Sequence, residues 1–172
     1  MIPKEASADN HMLAKETSAD NHISNVFIKM KCDHVSSTAK RDNLILAFGE
    51  RLYNKRGVEE HNAVEVSCRM RELARLVIDL QQQSNGMISS LNDALLVKNF
   101  QTLVQSVRRL AEFSDETHSF KKGSLALKLG CSVKKSAMIQ KSNAIQNHDK
   151  ELQENAENFL TLFVGNWFDH IL

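Results

Sequence analysis

Apolar residues recur along this chain at intervals of three and four, the spacing of a helix with one buried face. Val66, Met70, Leu73, Val77 and Leu80 step by 4, 3, 4 and 3, which predicts a helix over 63–83 with an a/d-type seam. Two heptads are too few for a stand-alone coiled coil, so the seam is expected to pack within one molecule. Leu44, Ile45, Phe48 and Leu52 predict a helix over 41–54, capped by Asp42 or Thr38 and closed by Lys55-Arg56 before Gly57. Phe100, Leu103, Val104, Val107, Leu110 and Ala111 predict a helix over 100–113, preceded by a short helical turn at 89–96. Leu152, Ala156, Phe159, Leu160, Phe163, Trp167 and Ile171 form a wide arc over 150–171. Residues 114–119 read as a polar connection.

The stretch 121–150 has two stripes rather than one. On a wheel of 100° per residue, Leu125, Ala126, Leu129, Val133 and Ala137 share one arc. Leu127, Cys131, Met138 and Ile145 make a second stripe opposite, bordered by Lys128 and Lys135 on one edge and Lys134 and Lys141 on the other. Ser124 is the expected N-cap. Gly130 lowers helix stability and allows a neighbour to approach closely.

Together these segments predict an all-α protein, a single bundle of about five helices over 36–172. Residues 1–35 are expected to be a disordered or extended tail. Within it, KEASADNH at 4–11 returns as KETSADNH at 15–22, an 11-residue tandem repeat too polar to bury a stripe. Residues 23–39 read as an extended or loosely helical lead-in packed onto the domain.

Charge changes the picture more than composition does. The chain nets +1, yet 121–150 carries seven lysines against one acid, Asp149, for +6. That segment is a candidate phosphate-binding surface through Lys121, Lys122, Lys128, Lys134, Lys135 and Lys141, joined by Arg108 and Arg109. Few arginines and almost no aromatics are interleaved with the lysines, so nothing supports base readout. The acids Glu151, Glu154 and Glu157 follow directly. An antiparallel hairpin would bring Glu154 or Glu157 to Lys141 or Lys135.

Other chemistry is thin. Cys32, Cys68 and Cys131 are widely spaced, which suits reduced thiols in an intracellular protein. Neither they nor His11, His22 and His34 reach metal-ligand spacing, so no metal and no cofactor are expected. Tyr53, the one tyrosine, reads as a ring packed at a helix end. No apolar run approaches a membrane span. No spacing joins a nucleophile, a base and an orienting group, so the protein reads as a non-enzyme without a small-molecule substrate.

The stretches AKRDNLILAFGERLYNKRG (39–57), RMRELARLV (69–77), NFQTLVQSVRRLAEF (99–113), GSLALKLGCSVKKSAMIQ (123–140) and FVGNW (163–167) cover most of 39–172. In them the chain resembles a multi-copy animal protein family connected to mobile elements of the tyrosine-recombinase type. The resemblance implies a helical region that follows Cys/His-finger-like segments in longer members. That region is similar to the DNA-clasping domain preceding a recombinase catalytic domain. No catalytic residue carries over, since no Arg, Lys, His-x-x-Arg and Tyr set is recognisable, and upstream fingers are missing too. The implied protein is an isolated or truncated non-catalytic domain. The leading expectation is a structural or interaction module. The alternative is DNA binding through 121–150, with nuclear localisation. Self-association through Leu127, Cys131, Met138 and Ile145 is the third expectation.

Overall fold

Two aspartates open the first long helices of the domain, and each also ties its helix to a distant part of the chain. A computed structural model describes residues 23–56 and 59–171. The tandem repeat, with His11 and His22, lies outside the described residues. The helices are α1 (23–28), α2 (His34–Arg41), α3 (Asn43–Arg56), α4 (Glu60–Gln83), the short α5 (Leu91–Ala94), α6 (Phe100–Leu110), α7 (Gly123–Gln146) and α8 (Lys150–Ile171). A 3-10 turn at Val97–Asn99 joins α5 to α6. The described residues are all-α apart from a short antiparallel hairpin of two-residue strands, β1 (Phe113–Ser114) with β2 (Ser119–Phe120).

The central helix is α4, which packs against α2, α3, α5, α6 and α7. Its predicted seam is the core: Val66, Met70, Leu73, Val77 and Leu80 are all buried. The most extensive pairing joins α7 to α8, an antiparallel hairpin that closes the bundle. On its inner side α7 buries small residues, among them Ala126, Gly130, Ser132, Ser136 and Ala137, so neighbouring backbones come close. Asn155 of α8 holds the α5–α6 connection, accepting from the Val97 amide at 3.0 Å and donating to the Leu95 carbonyl at 3.1 Å.

Several boundaries differ from the sequence expectation. The packed domain includes residues from 23 onward rather than from 36, because Val26 and Met30 enter the core and Asp33 caps α2. Of the two forms expected for the lead-in, the structure takes the helical one over 23–28, packed onto the domain as expected. Helix α6 ends at Leu110 rather than 113, where Glu112 takes a left-handed φ of 55° and Phe113 turns into the hairpin. The polar connection at 114–119 thus carries paired strands. Ser124 does not cap α7; the helix begins at Gly123 after Lys122, and Ser124 lies in its first turn. Asp42, not Thr38, caps α3.

Asp33 also reaches across to α4. Arg71 grips it with two prongs, Nη1 to Oδ1 at 2.7 Å and Nη2 to Oδ2 at 2.8 Å, and Arg71 donates to the Ser36 hydroxyl as well. The Arg71 guanidinium, with the Ser36 amide at 2.9 Å, holds the Asp33 carboxyl well below the usual carboxylate range. A depressed acid stabilises the fold above its unfolded-state value and loses that contribution as pH falls through the folded value. Asp33→Asn is therefore expected to be less stable than wild type at neutral pH. The gap should narrow as pH drops below roughly 4, where the unfolded-state carboxyl takes up its proton. Urea titrations across that range measure it, and a pH-independent gap would contradict the assignment.

Candidate interaction face on helices α7 and α8

The second stripe of α7 lies where the wheel puts it, and no described element covers it. Leu127 is 49% exposed, Met138 53% and Ile145 47%, with Cys131 exposed between them. Large apolar side chains left half in water along several turns of a folded helix make this face a candidate interaction surface.

Helix α8 widens this surface, and Gly130 explains how. A Cβ on Gly130 would meet Trp167 at Nε1 (2.7 Å) and Cε2 (2.9 Å), so the missing side chain is what admits the indole. Trp167 stacks on Phe163 with ring centres 4.5 Å apart. Close approach at this level brings the next residues of α8 alongside the stripe. Val164 is 62% exposed and Phe168 59%. Between the helices lies a cleft of about 210 Å³, lined by Leu127, Cys131, Lys134, Val164 and Phe168 over the edges of Phe163 and Trp167. Val164 and Phe168 fall outside the main arc of α8. Their i, i+4 spacing just beyond that arc was the available signal in the sequence, and the arc alone missed it.

The candidate cations separate into two groups. Arg109 holds Asp79 with Nε at 3.1 Å from Oδ1 and Nη2 at 2.9 Å from Oδ2. Arg108 reaches Asp115 at 3.3 Å and lies over the Phe113 ring at 3.9 Å. Lys122 pairs with Glu112, and Lys141 with Glu157 at 3.3 Å, the one hairpin pair of the expected kind. Those four side chains are engaged within the fold, Arg109 joining α6 to α4 and Lys141 joining α7 to α8. Lys121 sits exposed just before α7. Lys128, Lys134 and Lys135 have no ion pair among the described residues and line the outer arc of α7. The acidic start of α8 therefore neutralises Lys141 and leaves this upper part of the face basic.

Two further cations join from other helices. Arg69 of α4 donates from Nη1 to the Lys128 carbonyl at 3.1 Å. Arg56 of α3 lines a cleft with Arg69 and Lys135. Burial, with Lys55, Arg56 and Arg69 nearby, pushes the Lys135 ammonium below its ordinary value. No local sequence pattern could have joined these residues, because they come from three helices.

Among the described residues, no group of three or more His, Cys, Asp and Glu is arranged to hold a metal ion. No described helix is long and apolar enough to cross a membrane. No family model, curated protein or solved structure matches this chain.

Proposed function

We propose that this chain is a non-catalytic helical interaction module whose working surface is the outer face of α7 and α8, and that it takes an acidic amphipathic helix from a partner protein. The observation that carries the reading is the uncovered apolar series Leu127, Cys131, Met138 and Ile145 with Val164 and Phe168 beside it. Helix-in-groove recognition needs an apolar groove of this kind for the anchors of an incoming helix. Charge selects the occupant. Lys128, Lys134 and Lys135 border the stripe with no ion pair among the described residues, Lys128 having only the buried Glu72 nearby, so acids beside the anchors of an incoming helix would meet them. Two copies apposed on this stripe would instead set these lysines near one another.

The test uses two labelled amphipathic peptides with identical leucine anchors, one carrying Glu and the other Lys at the remaining positions. Fluorescence anisotropy is expected to show the acidic peptide binding roughly tenfold tighter, about 1.4 kcal/mol. The preference should shrink as salt is raised. The double variant Met138→Glu/Val164→Glu should abolish binding while circular dichroism stays unchanged. Equal affinities, or no binding at low salt, would sink the reading. A dimer in light scattering that Met138→Glu makes monomeric would assign the face to a second copy.

DNA binding is a second reading, supported by the lysines that Glu151, Glu154 and Glu157 leave free. It predicts a duplex mobility shift at low salt that Lys134→Glu/Lys135→Glu removes, and no shift at all would discard it.

A further inference from the structure

The cleft between α3, α4 and α7 shares Cys131 with the apolar groove and is otherwise lined by different residues. Its volume is about 290 Å³, and Arg56, Arg69 and Lys135 line it over a floor of Phe48 and Leu52, with Cys131 and Ser132 on its α7 wall. Each of the three cations comes from a different helix, so their convergence is a property of the packing. Charge around the cleft is unbalanced. Lys55, Arg56, Arg69, Lys128 and Lys135 lie in or beside it. The acids paired to its arginines are Glu65, bound to Arg56, and Glu72, 3.9 Å from Arg69.

Glu72 compensates poorly. Its Oε2 is buried and accepts no hydrogen bond, and burial pushes the carboxyl above its ordinary value despite Arg69, Lys128 and Arg75 nearby. Like charges held together in a half-buried cleft cost stability unless something negative joins them. Each guanidinium carries five N–H donors. Arg56 directs its Nη1 at Glu65, and Arg69 directs its Nη1 at the Lys128 carbonyl, which leaves further donors on both for a ligand.

We infer that this cleft is a binding site for a phosphate group, gripped by Arg56, Arg69 and Lys135 together. Phosphate fits better than carboxylate because the donors approach from three helices. A tetrahedral anion offers oxygens in three directions, whereas a planar carboxylate serves one fork. The group's substituent, a small organic moiety or the sugar of a nucleic-acid backbone, extends from the cleft toward solvent, away from the buried Phe48 and Leu52 floor. Lys135 serves both this site and the peptide-binding reading, but Arg56 and Arg69 belong to the cleft alone, so the site survives that reading's failure.

Thermal melts of the full chain in sodium pyrophosphate, against sodium chloride of equal ionic strength, test the site. At ten times Kd, a rise in Tm of about 4 °C is expected. Lys135→Ala should melt at or above wild type without ligand, because repulsion is relieved, yet lose the pyrophosphate response. Lys150→Ala removes the same charge at the far end of the α7–α8 hairpin and should keep the response. A shift no larger than chloride gives, or one undiminished in Lys135→Ala, would overturn the site. Anisotropy with a labelled duplex oligonucleotide then identifies the source. Binding weakened by Lys135→Ala puts the phosphate on a nucleic-acid backbone. With the pyrophosphate response in hand, duplex binding that is absent or indifferent to the substitution puts it on a small phosphorylated molecule.

Discussion

Replacing Asp42 with alanine is expected to lower the unfolding free energy by about 3–4 kcal/mol, among the largest single effects in the molecule. The side chain is 8% exposed, and its carboxylate serves three backbone amides. Oδ1 accepts from Leu44 and Ile45, both at 3.0 Å, which satisfies the first-turn donors of α3. Oδ2 accepts from Leu91 at 2.7 Å and so pins the start of α5, far along the chain, to the start of α3. Alanine leaves all three donors without their partner, two at a helix start and one at a tertiary junction. Asparagine separates the two roles. Its carbonyl oxygen can keep the cap, while its amide nitrogen would confront the Leu91 N–H, so Asp42→Asn should lose about half as much. Urea unfolding with an unchanged m-value would register both. Faster amide exchange at Leu91 in Asp42→Asn, with α3 still protected, would confirm the division. A loss under about 1 kcal/mol in Asp42→Ala would mean the three bonds are not formed together.

Truncating Trp167 to alanine should cost about 3–5 kcal/mol, and the size of the Gly130 effect should depend on it. Trp167 is buried, stacks on Phe163 and occupies the space above Gly130. In wild type, Gly130→Ala gains about 1 kcal/mol of helix propensity but forces the indole aside, which costs about 1–3 kcal/mol in a packed core. The ring is wedged against Phe163, so the clash should win and the substitution should destabilise. In Trp167→Ala the obstruction is gone, and Gly130→Ala should become stabilising by about 1 kcal/mol. A double-mutant cycle reads the coupling directly, and additive effects would show that the indole does not rest on the glycine.

The sequence made the helices legible wherever one face alternated cleanly. The 4, 3, 4, 3 steps from Val66 to Leu80 marked the buried seam of α4, and the arc from Leu152 to Ile171 marked α8 with its bounds. Gly130 was legible as a point of close approach, although its partner, Trp167, was not. The lead-in at 23–35 was legible as packed onto the domain, but its share of the core was not, because a few apolar positions around Val26 and Met30 carry little periodic signal. Their helical packing depends on Asp33 reaching Arg71 on α4. The hairpin at Phe113 and Phe120 escaped for a similar reason. Two-residue strands have no period to read, and this pair is held by aromatic rings 4.8 Å apart.

The candidate site divides along the same line. A sequence fixes the angle of each side chain around its own helix, so it determined that α7 has two apolar stripes and that lysines border the second. It could not decide which stripe would be covered, because that depends on how many neighbours a helix meets and at what angle. Packing placed α3, α4 and α8 around the inner side of α7 and left Leu127, Met138 and Ile145 open. Nor could it decide which cations remain available. Ion pairing acts through space, so the fold engaged Arg108, Arg109, Lys122 and Lys141 with acids from elsewhere. Among the described residues it left Lys128, Lys134 and Lys135 without an ion pair, and brought Arg56 and Arg69 to Lys135 from two other helices.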